Sequence, residues 1–376
     1  MRQSNPITFA LGGLAVLLLA ACGSGGNAAT STPPSSTPDP DLSTPAASLT
    51  GAGSTFDQPF FTRAFFTYNQ VNPNVTVNYA SIGSGGGIAQ FQAQTVNFGA
   101  TDVPMSATDV AKAKGGAVVQ LPVTLGGVAI AYKVNGVSGG LHLSSTVLAN
   151  IYLGKIKTWN DPAIAALNSN VTLPSEPIVI VHRSDASGTT YIFSDYLTKV
   201  STDWASGPGK GKSINWPVAG VGGKGNEGVA GNVDPRAGHG IEGAIGYVEL
   251  AYALQNNFTY AAIQNSAGSY VKPSLSTVMA DAAQKPDVSA TNYSIVNQAG
   301  SNSYPISGYS WALVYQIQTD SSVGTALVRM LDWLTHSGGQ SQASALEYVP
   351  LPANIQQLAR TALKQVTDSS GKALLG

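Results

Sequence analysis

Cysteine occurs once in 376 residues, at Cys22. A single thiol excludes an internal disulfide framework and any Cys-rich zinc or iron–sulfur centre. Charge is also scarce, with Asp, Glu, Lys and Arg making up 10 % of the chain, against about a quarter in ordinary globular proteins. The 19 Lys+Arg and 20 Asp+Glu leave a net charge of −1, without the basic excess that holds nucleic acid. The four histidines, His142, His182, His239 and His336, show no metal-ligand spacing. Neither a metal nor a cofactor is therefore expected. Beyond the N-terminus no run approaches the ~18 uninterrupted apolar residues of a membrane span. Glycine, in contrast, is abundant at 42 residues, marking tight turns and places where backbone closely approaches something. The length allows about two domains with real cores.

Residues 1–22 read MRQSNPITFALGGLAVLLLAAC. Arg2 supplies a positive start, and Ile7 to Ala21 is apolar but too short to cross a bilayer as a helix. The run ends in Leu19, Ala20 and Ala21 just before the sole cysteine. This pattern resembles a bacterial lipoprotein signal. Residues 1–21 are then expected to be removed, and Cys22 to carry acyl chains such as palmitate. From Gly23 to Ser48 only Asn27, Asp39, Asp41 and Leu42 fall outside Gly, Ser, Thr, Pro and Ala. Such a segment has too little apolar surface to offset chain ordering, so residues 22–48 read as a flexible tether. The folded part is expected to begin near Leu49.

From there short apolar strands alternate with helical patterns. Val75 to Ile82 alternates with period two and is β-branched, so a strand is expected. Strands are also expected over Ile178 to His182, Gly243 to Leu250 and Ser310 to Ile317, and two consecutive strands over Val118 to Val134. Helices are expected over 86–96, 144–154, 161–168, 189–200, 322–336 and 354–366. The alternation predicts an α/β fold with largely parallel sheets.

Four Gly/Ser/Thr-rich loops lie at strand-to-helix junctions: Gly51–Phe56, Gly83–Gly87, Phe98–Asp102 and Arg183–Thr190. Free N–H groups at a helix N-terminus, joined by hydroxyls, make an anion site. Any one such loop reads equally as a turn with an N-cap; the four together point to an enveloped oxyanion. Arg183 is the only basic residue among them, and Asp185, two residues on, reads either as its ion-pair partner or as part of a surface pair. Asp102 is either an N-cap or a solvated carboxylate, or it meets an anion that still carries a proton. Phosphate near neutral pH keeps a proton and sulfate keeps none. A site that reads a specific hydrogen discriminates by about 10⁴–10⁵.

The segments GAGSTF (51–56), IGSGGG (82–87), FGATD (98–102), IYLGKIKTWNDPAIAALN (151–168), HRSDASGT (182–189), GGKGNEG (222–228), GAIGYVE (243–249) and DSSGKALL (368–375) resemble, in order and over nearly the whole chain after the tether, the phosphate-binding lipoprotein of the high-affinity phosphate ABC transporter, the PstS family. The resemblance implies a two-lobe, periplasmic-binding-protein-like α/β fold with a hinge of crossing strands and a ligand cleft between the lobes. Lobe one would comprise residues 49–122 and 305–376, and lobe two residues 123–304. It implies binding of one phosphate by Thr55, Phe56 (through its backbone N–H), Ser84, Asp102, Arg183, Ser187, Gly188 and Thr189. Asp102 would accept the phosphate proton, and Asp185 would pair with Arg183. The expected partners are phosphate, the membrane through the lipid anchor and the permease subunits of an ABC importer. The expected location is extracytoplasmic, and the chain is expected to act as a monomer. His182 and Ala186 depart from the family pattern at positions not expected to touch the anion, and 233–242 looks variable.

Other readings compete. A phosphate sensor, or a binder of another tetrahedral oxyanion, would share the same loops; Asp102 argues against sulfate. An extracytoplasmic phosphatase or hydrolase lacks its parts. Gly308–Ala312 misses a nucleophile elbow at its last residue. Ser206–Ser213 misses a phosphate loop because its first residue is not glycine.

Overall fold

The computed structural model describes residues 42–376. Cys22 and most of the expected tether therefore lie outside the described residues. Thirteen strands occur in them: β1 (Ala47–Gly53), β2 (Val75–Ser81), β3 (Phe98–Thr101), β4 (Val118–Tyr132), β5 (His142–Leu143), β6 (Val179–Arg183), β7 (Val221–Gly223), β8 (Ala244–Glu249), β9 (Ala262–Gln264), β10 (Tyr270–Val271), β11 (Ser307–Tyr315), β12 (Ile317–Gln318) and β13 (Thr367–Asp368). Eight of them form one sheet in the order β2-β1-β3-β11-β4-β8-β6-β7.

The two wings of this sheet, β2-β1-β3 and β8-β6-β7, are parallel as expected. Its centre is not, because β11 runs antiparallel to both β3 and β4, and β4 antiparallel to β8. A central antiparallel pair lets the chain cross from one wing to the other and return. The 118–134 stretch is accordingly one strand of 15 residues rather than two. Its first part pairs with β11, and Val128–Tyr132 pairs with β8. Gly126 and Gly127, at the changeover, serve close packing rather than a turn. A Cβ at Gly126 would meet the Phe56 ring at 2.7 Å, and one at Gly127 would meet Val278 at 2.8 Å. Pro122 cannot donate to a ladder, and the register of β4 and β11 shifts at that point, between Ser310 and Trp311. Such a bulge re-aims the side chains beside it.

Helices cover both wings. In Gln58–Val71, with Pro59 in the first turn, Phe60, Phe61, Phe65 and Tyr68 are buried at the spacing of one helical face. Each such burial contributes about 1.5–3 kcal/mol relative to exposure. The helix Ser321–Thr335 starts at Asp320, whose carboxylate accepts from the Ser322 and Val323 N–H groups. Its buried stripe includes Leu327, Met330, Leu331 and Leu334. The helix expected over 161–168 shrinks to Pro162–Ala165. Asn168 instead ties the Ile164 and His142 carbonyls together at 2.9 and 3.0 Å, which ends the turn. Regular structure begins at Ala47, two residues before Leu49. Just upstream, Asn72 donates to the Leu42 carbonyl at 2.9 Å, fastening the end of the tether to the core.

Candidate functional site

The carboxyl ends of β1, β3, β6 and β7 and the start of the helix Ser84–Gln92 meet at one place. Parallel wings bring strand ends and helix N-termini to the same edge, which is where α/β sheets place ligands.

The loop after β1 is held by its carbonyls. The Tyr79, Tyr252 and Tyr348 hydroxyls donate to the Ser54, Thr55 and Phe56 carbonyls at 2.8, 2.9 and 2.5 Å. Three acceptors that would repel an anion are thereby satisfied. The Phe56 N–H donates to Ser54 Oγ at 2.9 Å, so this donor is shared rather than free. Thr55 Oγ1 accepts from the Asn226 N–H at 3.0 Å and from its side-chain amide at 2.9 Å.

Gly83, at φ 82°, turns the chain from β2 into the helix Ser84–Gln92. L-residues with a Cβ rarely adopt that conformation. Ser84 Oγ accepts from the Asp102 N–H at 3.2 Å and from the Gly188 N–H at 3.1 Å. Its own proton remains to be donated. Gly188 opens the helix Gly188–Val200, whose N-cap is Ser187. Ser187 Oγ accepts from the Thr190 N–H at 3.1 Å. A Cβ at Gly188 would lie 2.5 Å from the Asp102 Cβ, so glycine is required by close approach.

Arg183, at the end of β6, has its side chain 1 % exposed. Its Nε and Nη2 donate to the two Asp185 oxygens at 2.8 and 2.5 Å, a fork that fixes the guanidinium plane. Burial works to raise the Asp185 pKa, but Arg183 and the Gly225 N–H outweigh it and hold the carboxyl below its ordinary value. Arg183 Nη1 points to Thr189 Oγ1 at 3.4 Å.

Asp102 is at the centre. Its Oδ1 accepts from the Ser54 hydroxyl and, at 3.1 Å, from Ser310; its Oδ2 accepts from Thr189 at 3.2 Å. Burial pushes its pKa up to about 6, against the opposing pull of Ser54, Arg183, Ser310 and Thr189. The group is therefore an unusually basic carboxylate set among hydroxyls and N–H groups.

All eight residues expected to bind, with Asp185, thus stand in one hydrogen-bonded cluster. Other members were not foreseen. Asn226, fully buried in the first turn of the helix Gly225–Val233, bridges Thr55 and Thr189, while its Oδ1 accepts from the Glu249 N–H at 2.9 Å. The signal was present in GGKGNEG, a fifth glycine-rich loop between a short strand and a helix. Ser54, Asp57, Ser310 and Glu249 were also missed; all four are buried. Ser310 belongs to the near-miss of a nucleophile elbow, and the fold places its hydroxyl between the Asp57 and Asp102 carboxylates. His182 lies outside the cluster, stacked on Trp216 with ring centroids 4.9 Å apart. The 233–242 segment is tied to the end of β4, where Lys133, the next residue, donates to the Arg236 and His239 carbonyls and pairs with Glu242. Among the described residues no cluster of His, Cys, Asp and Glu could hold a metal ion, and no helix is long and apolar enough to cross a membrane.

A model of the PBP superfamily domain matches residues 28–335. The phosphate-binding protein PstS of Pasteurella multocida is 42 % identical over 337 residues, 89 % of this chain and 95 % of that relative. The phosphate-binding protein PstS of Xylella fastidiosa (strain Temecula1) is 43 % identical over 324 residues, 85 % of this chain and 86 % of its own. Among solved structures, a high affinity periplasmic phosphate-binding protein (PfluDING) bound with phosphate has the same fold. It matches with a TM-score of 0.69 at 22 % identity, over 87 % of this chain and 96 % of that one. The fold is thus that of the periplasmic-binding-protein superfamily, two α/β lobes with a ligand cleft between them, and by the extent of its identity to these relatives the chain belongs to the PstS family of phosphate-binding proteins.

Proposed function

We propose that the chain is the extracytoplasmic substrate-binding component of a phosphate ABC importer and holds one hydrogen phosphate ion at the cluster around Asp102. The observation that carries this reading is a buried, basic carboxylate ringed by donors. Ser84, Arg183, Ser187, Thr189 and the N–H groups of Thr55, Phe56 and Gly188 would donate to phosphate oxygens. Asp102 would accept the one remaining P–O–H proton. Helix N-termini, each contributing about 0.3–2 kcal/mol, supply attraction that the paired Arg183 alone does not. A fully ionised oxyanion would face Asp102 lone pair to lone pair, at a cost of about 1–3 kcal/mol or more.

In this reading lobe one comprises residues 49–122 and 305–376 and lobe two 123–304, with the changeovers in β4 and β11 as the hinge. Thr55, Phe56, Ser84 and Asp102 then lie on one side of the cleft. Arg183, Ser187, Gly188 and Thr189 close from the other. Cys22 would carry the lipid, and residues 23–48 would let the lobes reach a permease in the same membrane.

The test is calorimetric titration of the protein, stripped of bound ligand, with phosphate and with sulfate. One-to-one binding of phosphate at micromolar or lower concentration, without binding of sulfate, is expected. Equal binding of both would remove the proton-reading role of Asp102, and binding of neither would remove the function.

A further inference from the structure

Asp57 occupies the N-cap position of the helix Gln58–Val71 but does not cap it. Aspartate is among the best N-caps, so a side chain turned away from that role needs another. It is fully buried, at 0 % exposure, and faces inward. Thr124 Oγ1 lies 2.5 Å from its Oδ1 and Ser310 Oγ lies 2.6 Å from its Oδ2. These two residues are register partners across β4 and β11, beside the bulge at Pro122. Ser310 Oγ is also 3.1 Å from Asp102 Oδ1.

A serine hydroxyl has one proton. If Asp57 is ionised, that proton goes to Asp57, and Ser310 presents only lone pairs to Asp102. If Asp57 carries a proton on Oδ2, it donates to Ser310 Oγ, and Ser310 donates onward to Asp102 Oδ1. With Asp102 ionised, as it must be to accept a ligand proton, only the second arrangement satisfies both contacts. Of the titratable groups facing Asp57, the Asp102 carboxylate pushes the same way, and the others add no positive charge. The groups are Asp102 at the end of β3, Glu249 at the end of β8, Tyr79 of β2, Tyr252 of the helix Leu250–Gln255 and Tyr348. None of them is cationic, and the guanidinium of the site, Arg183, is paired with Asp185.

Resting on the proposed phosphate site, we propose that Asp57 is a neutral carboxylic acid and a positioning residue, which through Ser310 directs a proton at Asp102 Oδ1 and so keeps Oδ2 as the oxygen that reads the ligand. Burial, followed by the Asp102 charge, pushes the Asp57 pKa up to about 8, so the neutral form prevails at pH 7. An arriving anion favours that form further. Above pH 8, binding must then take up a proton on Asp57, and affinity falls towards about tenfold per pH unit.

The experiment is phosphate calorimetry on the wild-type protein and Asp57→Asn from pH 6.5 to 9.5, in buffers of differing ionisation enthalpy. The amide keeps the shape, accepts from Thr124 and donates to Ser310. Expected are uptake of about one proton per phosphate by the wild type at pH 9, and neither the uptake nor the alkaline fall in Asp57→Asn. Tighter binding by Asp57→Asn at pH 6.5 with an unchanged pH slope would mean that Asp57 is ionised and would overturn the inference. Wild-type binding at pH 9 without proton uptake would do the same, even if the variant does not fold. Carboxyl ¹³C NMR of the ligand-free protein separates this from the phosphate reading. A carboxyl titrating near pH 8 and lost in Asp57→Asn supports a neutral Asp57 even if phosphate does not bind; an Asp57 carboxyl already ionised at pH 6 refutes it even if phosphate does.

Discussion

Gly85 lies against Ala186, across the proposed cleft. The Gly85 N–H donates to the Ala186 carbonyl at 2.9 Å. A Cβ at Gly85 would lie 2.4 Å from the Ala186 Cβ and 3.2 Å from its carbonyl oxygen. Real Cβ atoms do not approach so closely, so Gly85→Ala must hold the two loops apart. Overpacking of this kind costs about 1–3 kcal/mol, and if it falls on the closed form alone, affinity for phosphate drops about 5- to 150-fold. Local stability moves the other way. Gly85 lies in the first turn of the helix Ser84–Gln92, where alanine is favoured over glycine by up to about 1 kcal/mol. The nearest neighbours of the added methyl all belong to Ala186, so parting the lobes relieves it. The expected outcome is a ligand-free melting temperature equal to or above wild type, with weakened binding by calorimetry. Wild-type affinity in Gly85→Ala would refute the closure geometry. A lowered melting temperature with equally lowered affinity would refute the claim that the strain is confined to the closed form.

Three further outcomes follow. Arg183→Ala removes a buried guanidinium and leaves Asp185 uncompensated, so phosphate affinity is expected to fall by about 2–5 kcal/mol, a loss of 30-fold or more in titration. Less than a tenfold loss would show that Arg183 does not face the anion. Asp57, with its folded pKa at about 8 and an ordinary value of 3.8, contributes stability that is fully present below pH 3.8 and is lost as pH rises towards 8. Asp57→Asn should therefore gain on wild type in thermal denaturation as pH rises from 5 to 8; a constant gap would contradict a neutral Asp57. Cys22→Ala should leave phosphate binding intact and release the protein from membranes on fractionation; retention in the membrane fraction would refute the anchor.

The loops of the site were legible because their chemistry is local. Gly83, Ser84, Gly188 and Thr189 sit at strand-to-helix junctions that any sequence reading can mark. Arg183 and Asp185 are two residues apart and carry the only basic group of the four loops. What the sequence hid was non-local. Ser310 lies 208 positions from Asp102, and Thr124 lies 67 from Asp57. Neither stands in a glycine-rich loop; both are aimed by a bulge in paired strands. Asn226 touches Thr55 across 171 positions, within a motif visible as a motif but silent about which atom matters. The antiparallel centre of the sheet was hidden for a similar reason. The apolar, β-branched run of β4 looks the same whichever way its neighbours run, and direction is set by where the chain goes next.

In the proposed site Asp102 reads a proton on the bound anion. Asp102→Asn keeps the size and replaces an acceptor oxygen by a donor. Paired titrations of this variant and the wild type with phosphate and sulfate at pH 7.5 test it most directly. Wild type is expected to bind phosphate alone, and in the variant the preference for phosphate over sulfate is expected to collapse, with sulfate now measurably bound. A preference for phosphate unchanged in Asp102→Asn would contradict it.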